Sequence, residues 1–506
     1  MNTIKKICVA ALLLLLPGLS VMANNIKVSN ISVAQRNSAN KYVVVQFDLS
    51  WDNSFRLTNG TLENWDAAWV FVKYRKSGDI NLGFSHGTLG TTASHVIPNG
   101  FTGTQPTDNK GIFLYRSAVG TGTSTLTSTK LRWDYGTDGL DSVNVADFQV
   151  YAVEMVYVPQ CPFWVGSGGI ETGSLTDGSW ASGPSIPYQI TSEAAITVGT
   201  GSGKLYCTSN SGSAAITTGT LPAAYPKGYN AYYCMKYEVT QKAYVDFLNT
   251  LTYTQQATRA ANISANNFII SNNTSLSYRN AIRNPATIPT TSAPLTFICD
   301  FNNNGVGNEA GDGMNIACNY LNEWDLKAYL DWAALRPMTE LEFEKAARGP
   351  VYPTIDDYAW GASNPISATA VTNPGLETET ATNTAANIVS NSSYSAGPLR
   401  VGFASTATST RYQSGGSYWG IMELSGNLYE RALSIYYTAV TNVLGDGVLA
   451  ANGDANAAFN AISLGFRGGN YSDTNSYAKV SDRTFATAVN TTRSSIYGGR
   501  GVRQAP

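Results

Sequence analysis

The stretch FRGGNYSDTNSYAKVSDR, Phe466–Arg483, has the outline of a catalytic loop. A Gly-Gly turn delivers a polar, tyrosine-bearing segment between two arginines, yet apart from Lys479 it holds no cysteine, histidine or lysine nucleophile. Histidine excludes more. His86 and His95 are the only two in the chain and both precede residue 150. Everything after them is therefore barred from a Ser-His-Asp triad, a Cys-His pair or a histidine zinc site. Beyond Cys8, the cysteines are Cys161, Cys207, Cys234, Cys299 and Cys318, and no two form a C-x-x-C pair. A zinc ribbon or thioredoxin-type site is thus unsupported. Cys299 and Cys318 bracket a Gly/Asn-rich loop and are the pair expected to bond, which would contribute about 3 kcal/mol in the chain-entropy model. Inside that loop, DFNNNGVGNEAGD sets Asp300, Asn302 and Asn304 at alternating positions with Gly305 at the turn, like the start of an EF-hand-type calcium loop. The twelfth position is Gly311, with Asp312 one residue late. The segment therefore reads either as a calcium site or as a metal-free Asn/Gly turn.

The elements that must position these residues fall into two textures. From about residue 26 to 157 come IKVSNISV, YVVVQFDLS, AWVFVKYR, GIFLYR, TKLRWDY and FQVYAVEMVYV, alternating apolar and polar residues between Gly-, Asn- and Ser-rich breaks. They predict an antiparallel β-sandwich over residues 24–150, with both histidines in a solvated connection. From 151 to 506 the pattern becomes helical twice. YEVTQKAYVDFLNTL offers Thr240 as N-cap with Tyr244, Phe247, Leu248 and Leu251 on one face, and RPMTELEFEKAARG offers a Thr339/Glu342 capping box closed by Gly349. Long Asn/Thr/Ser/Ala segments such as ATAVTNPGLETETATNTAANIVSNSS surround them, so the second region is expected to be rich in irregular backbone fixed by ions or disulfides. The fold class is α+β.

Only 13% of the 506 residues are charged and the formal net charge is −2, without any run of Lys or Arg, so a nucleic-acid partner is not expected. Residues 1–23 place Lys5 and Lys6 before an apolar run and end on Val21 and Ala23. That pattern predicts an export signal, hence an extracellular, cell-surface or periplasmic protein. No later apolar run reaches the roughly 20 residues a membrane span needs.

Seven stretches, in order, carry a resemblance to a known family: EMVYVPQCPFWVGSG, YYCMKYEVTQKAYVDFL, RPMTELEFEKAARG, DDYAWGA, GIMELSGNLYER, FRGGNYSD and GGRGVRQAP. From Glu154 to Pro506 the chain resembles the formylglycine-generating enzyme (sulfatase-modifying factor) family. The resemblance implies a C-type lectin-like fold: a small twisted β core, two helices, and irregular backbone held by calcium. Family enzymes oxidise a sulfatase cysteine to formylglycine with oxygen and a copper(I) ion held by two cysteines. Laid on this chain, those cysteines fall on Asp473 and Ala478. Soft thiolates suit copper(I), whereas a carboxylate is a hard ligand and a methyl group is none. No copper is expected, and no cysteine follows Cys318 to replace the pair.

The family's calcium sites carry over more readily. One maps to ELSGNLYE, with the Glu423 side chain, the Gly426 and Leu428 carbonyls and the Glu430 carboxylate as implied ligands. The other maps to AANIVSN through Asn387 and the Ile388 carbonyl. The implied function is an exported, non-catalytic family member that binds an extracellular protein or glycan, or builds an extracellular assembly. Two alternatives stand beside it. One is an oxidase or other oxidoreductase on the same scaffold, though relatives that use iron hold it with histidines. The other is a variable, ligand-displaying C-type lectin-like protein. Its contact surface would be Asn470–Arg503, whose Tyr, Asn, Ser and Gly suit adaptable contacts.

Overall fold

The computed structural model describes residues 25–506 apart from 80, 143–145, 209–217, 290–292 and 437–442, so the expected export segment lies outside the described residues. The alternating stretches form strands β1 (Lys27–Asn37), β2 (Tyr42–Asn59), β3 (Leu62–Lys76), β4 (Ser85–His86), β5 (Phe101–Thr104), β6 (Ile112–Arg116), β7 (Gly120–Trp133) and β8 (Ala146–Val158). The two-residue period is explicit in β2, where Val43, Val45, Phe47, Leu49 and Trp51 are buried. Strand β3 is covered on both faces. Ala68, Val70 and Val72 pack into a core with β2 and β7, while Trp65, Ala67, Trp69 and Phe71 face the remainder of the chain.

Five further strands complete one 13-stranded sheet: β9 (Tyr232–Met235), β10 (Arg336–Thr339), β11 (Glu430–Leu433), β12 (Gly465–Arg467) and β13 (Gly501–Gln504). Its main path runs β1-β2-β3-β8-β9-β13-β10-β11-β12. Strand β8 is the hinge of this order. It pairs with β3 from Ala146 to Val156 and with β9 from Met155 to Val158. The division expected at residue 150 therefore falls inside a strand, and the two textures share a core. Phe113 stacks on Tyr233 at 3.7 Å, Phe71 meets the edge of Trp332 at 5.2 Å, and Trp69 Nε1 donates to the Ala333 carbonyl at 2.9 Å. Composition changes after β8 because its last residues begin the sheet of the second region, not because a linker lies there.

Helix α1 (Gln241–Leu248) starts at Thr240, whose side chain accepts from Ala243 N, and buries Tyr244, Phe247 and Leu248. Helices α2 (Tyr253–Arg259) and α3 (Glu323–Trp332) escape the periodicity reading, and each begins with a capping box, Thr252/Gln255 and Asn322/Asp325. Helix α4 (Glu340–Arg348) has the expected Thr339/Glu342 box and ends at Gly349, whose φ of 69° only glycine adopts without strain. The chain is mostly β, and no described helix is long and apolar enough to cross a membrane.

Two expectations are corrected here. His86 is buried rather than solvated, because β4 pairs with β3 and lays the imidazole on Phe71 at 5.3 Å. Cys299 and Cys318 are not bonded to one another; both are buried free thiols, as are Cys161, Cys207 and Cys234. Burial pushes the thiols of Cys299 and Cys318 up.

Candidate functional site

The two arginines that frame the opening stretch are structural. Arg467 Nη1 and Arg483 Nε reach Glu340 Oε2 at 2.9 and 2.6 Å, and Arg467 Nη2 reaches Glu344 Oε1 at 2.8 Å. Glu344 in turn receives Arg348, which also grips Asp357 at 2.8 Å. All of these groups are buried. Burial alone would raise the Glu340 carboxyl, but the Arg483 and Arg467 guanidiniums hold it below its ordinary value. Helix α4 is thus clamped by the ends of the loop it faces.

Between the clamps, Gly468 and Gly469 have φ of 82° and 67°. They turn the chain so that a Cβ on Gly469 would lie 3.0 Å from Ala478 Cβ. The Ala478 methyl sits in an apolar cluster with Tyr358, Trp360 and Ile388. Asp473 Oδ2 accepts from the Tyr429 hydroxyl and from Asn470 Nδ2, each at 2.8 Å. Burial and the Asp473 carboxylate raise the Tyr429 phenol, keeping it a donor. A hydrogen-bonded carboxylate and a packed methyl thus stand where the family would place two thiolates. The donor set does not fit copper(I).

The ELSGNLYE motif is built differently. Glu423, Gly426 and Asn427 have φ of 49°, 87° and 61°, which coils the segment tightly. Glu423 Oε1 accepts from Gly402 N at 2.8 Å, and Glu430 Oε1 accepts from Arg500 Nε at 2.5 Å. Arg500 also donates to the carbonyls of Met235, Lys236 and Glu423. Periodicity and motif reading missed Glu238, whose carboxylate accepts from Leu428 N at 2.9 Å and Asn427 Nδ2 at 2.5 Å. An acid in YEVT, at the exit of an otherwise apolar strand, is the one local signal for it. Burial raises all three carboxyls, opposed by Arg500; neighbouring carboxylates add to the rise for Glu238 and for Glu423, which reaches about 7.

Glu423 Oε2 and Glu430 Oε2 are buried without a hydrogen-bond partner. Neither the Gly426 nor the Leu428 carbonyl accepts a hydrogen bond among the described residues. Two unsatisfied carboxylate oxygens and two free carbonyls, with Arg500 bonded to the Glu430 carboxylate and Arg400 acting on Glu423 through space, are hard oxygen donors of the kind calcium takes. No three His, Cys, Asp or Glu side chains among the described residues gather into a cage on their own, so a cation here would depend on those carbonyls.

The other candidate ligands are occupied. Asn387 Oδ1 accepts from Ile366 N at 2.9 Å, and the Ile388 carbonyl accepts from Ala368 N at 2.9 Å. Asp300 is ion-paired with Arg283 and accepts from Asn304 N at 3.0 Å and Gly305 N at 3.1 Å. Asn302 and Asn304 accept from the backbone two residues on, at 3.0 and 2.7 Å. The loop around Asp300 is held by these bonds and by a guanidinium.

Residues 187–505 match the model of the sulfatase-modifying factor enzyme 1-like domain. No curated protein matches the chain. Among solved structures, Treponema denticola variable protein 1 aligns at 11% identity and a TM-score of 0.31, covering 70% of this chain and 96% of its own. With well over half of its length matched by that model, the chain belongs to the sulfatase-modifying factor enzyme 1-like domain family.

Proposed function

We propose that the protein is an exported, non-catalytic member of this family that binds an extracellular protein or glycan or contributes to an extracellular assembly. The reading carries the family domain as a C-type lectin-like scaffold and the N-terminal strands as a β-sandwich fused to it through β8. The observation that supports it most is the pair Asp473 and Ala478, one bonded to Tyr429 and the other buried in an apolar cluster. Neither supplies the soft thiolate that holds copper(I) for oxygen activation. The surface that remains there is polar and aromatic. Ser472, Thr474 and Ser476 are exposed, Tyr477 is half-buried, and Tyr278, which influences the neighbouring Tyr471, is half exposed. Such residues make contacts at low side-chain entropy cost.

Calcium belongs to this proposal as a structural ion. Glu423, Glu430 and the carbonyls of Gly426 and Leu428 would hold it, and its charge would offset three buried carboxylates. Arg500 does part of that work already through Glu430.

Copper(I) competition against a chromophoric chelator tests the proposal. The wild-type protein is expected to retain no copper(I), whereas a double variant, Asp473→Cys with Ala478→Cys, should retain about one equivalent if the loop keeps its shape. One tightly held equivalent in the wild type, lost on Asp473→Ala, would overturn it.

A further inference from the structure

Strand β8 is paired along only part of its length on one side. Its bond from Lys236 N to the Glu154 carbonyl, with the β9 register of Cys234 to Val156, turns even-numbered residues of β8 away from β3. Beyond Glu154 the chain of β9 has already left the sheet to form α1. Phe148, Val150 and Ala152 consequently present N–H and C=O groups that no described residue bonds. This open edge borders a cavity of about 650 Å³ lined by Gln149–Val153, the start of β1 and α1. Tyr329, Trp332, Met314 and Ile26 give it an apolar part, beside the charged side chains of Lys27, Lys242, Asp246 and Glu377. No residue of the Asn470–Arg503 tail lines it.

We infer that this cavity is a docking site for an extended segment of a separate polypeptide, added to the sheet beside β8 in line with β9. The chemistry of the edge selects the ligand. Three residues spaced two apart offer donor and acceptor together about every 6.8 Å, a pattern that an extended main chain matches. The site continues the β8–β9 pairing already present, so the incoming strand extends an existing ladder. One apolar side chain in every two would point to the Tyr329 and Trp332 floor, and proline would be excluded from the bonding positions.

The test uses the mature full-length protein in two steps. Hydrogen exchange read by NMR or fragmentation mass spectrometry should show the amides of Val150 and Ala152 exchanging at least tenfold faster than those of Tyr151 and Val153, which bond to β3. A displayed library of random decapeptides should then enrich proline-poor sequences with period-two apolar residues. Their synthetic versions should slow exchange at Val150 and Ala152. Two variants should weaken that binding at least tenfold while keeping the wild-type melting point. Ala152→Pro removes an edge N–H, and Ala243→Phe fills the cavity from α1. N-methylation of the peptide at alternate residues should do the same. Four results would overturn the proposal: edge amides as protected as their neighbours, no enrichment, enriched peptides that bind both variants unchanged, or concentration-dependent protection without peptide, which would make the occupant a second copy.

Discussion

Replacing Lys236 with methionine should destabilise the whole molecule, because one ammonium ties the N-terminal strands to the family domain. Its Nζ donates to Glu154 Oε1 at 2.6 Å, to Asp66 Oδ2 at 3.0 Å and to the Asn53 carbonyl at 3.0 Å, all from the N-terminal strands. Lys236, Asp66 and Glu154 are each less than 5% exposed. Burial pushes Glu154 up to about 8, while the facing carboxylates keep Lys236 protonated. Removing the cation leaves two buried carboxyls without their partner, a loss of about 3–5 kcal/mol. With about 2.1 cal/mol/K of unfolding entropy per residue and about 480 residues after the expected export segment, the entropy is about 1 kcal/mol/K. The midpoint should therefore fall by about 3–5 °C. Calorimetry of the wild type and Lys236→Met measures it, and adding Asp66→Asn with Glu154→Gln should recover at least half of the loss. A shift below about 1 °C, or two separate transitions in the wild type, would refute the shared core.

Stability should also fall in acid. His86 is buried beside Lys73, Lys110 and Arg503, with Nδ1 unpartnered and Asp331 and Asp446 facing Lys73; burial and those cations push the imidazole well below its usual value. The unfolded chain then takes up the proton first, so stability is present above about pH 6.5 and is lost below it. About 2 kcal/mol should go between pH 6.5 and 5, and less in His86→Gln, as read by urea titration. Excess EDTA should lower stability relative to millimolar calcium, by up to about 2.7 kcal/mol at a hundredfold excess over Kd, read as a lower melting midpoint, and Glu430→Gln should lose much of that difference. A fragment beginning at residue 151 should be insoluble, since it exposes Tyr233 and Trp332 and retains only part of β8; a monomeric, cooperatively melting fragment in gel filtration would contradict this.

Local chemistry is what the sequence discloses well. The six alternating stretches lie in β1, β2, β3, β6, β7 and β8, and the caps of α1 and α4 are where Thr240 and Thr339 place them. Pairings across long sequence separations are not written locally. Nothing in YEVT announces that Glu238 meets Leu428, or that Arg500 closes on Glu430. His86 reads as a loop residue because its strand is two residues long, too short for a period. The boundary misleads for the same reason: β8 faces two different partners, and only pairing reveals that it belongs to both. Asp473 and Ala478 were legible as residue types, while their bond to Tyr429 and burial beside Trp360 needed the fold.

The most direct measurement is turnover. Mature protein with copper(I), oxygen and a sulfatase-type cysteine peptide should yield no formylglycine by mass spectrometry beyond a control without protein. Product above that control, abolished by Asp473→Ala, would contradict a family member that binds without catalysing.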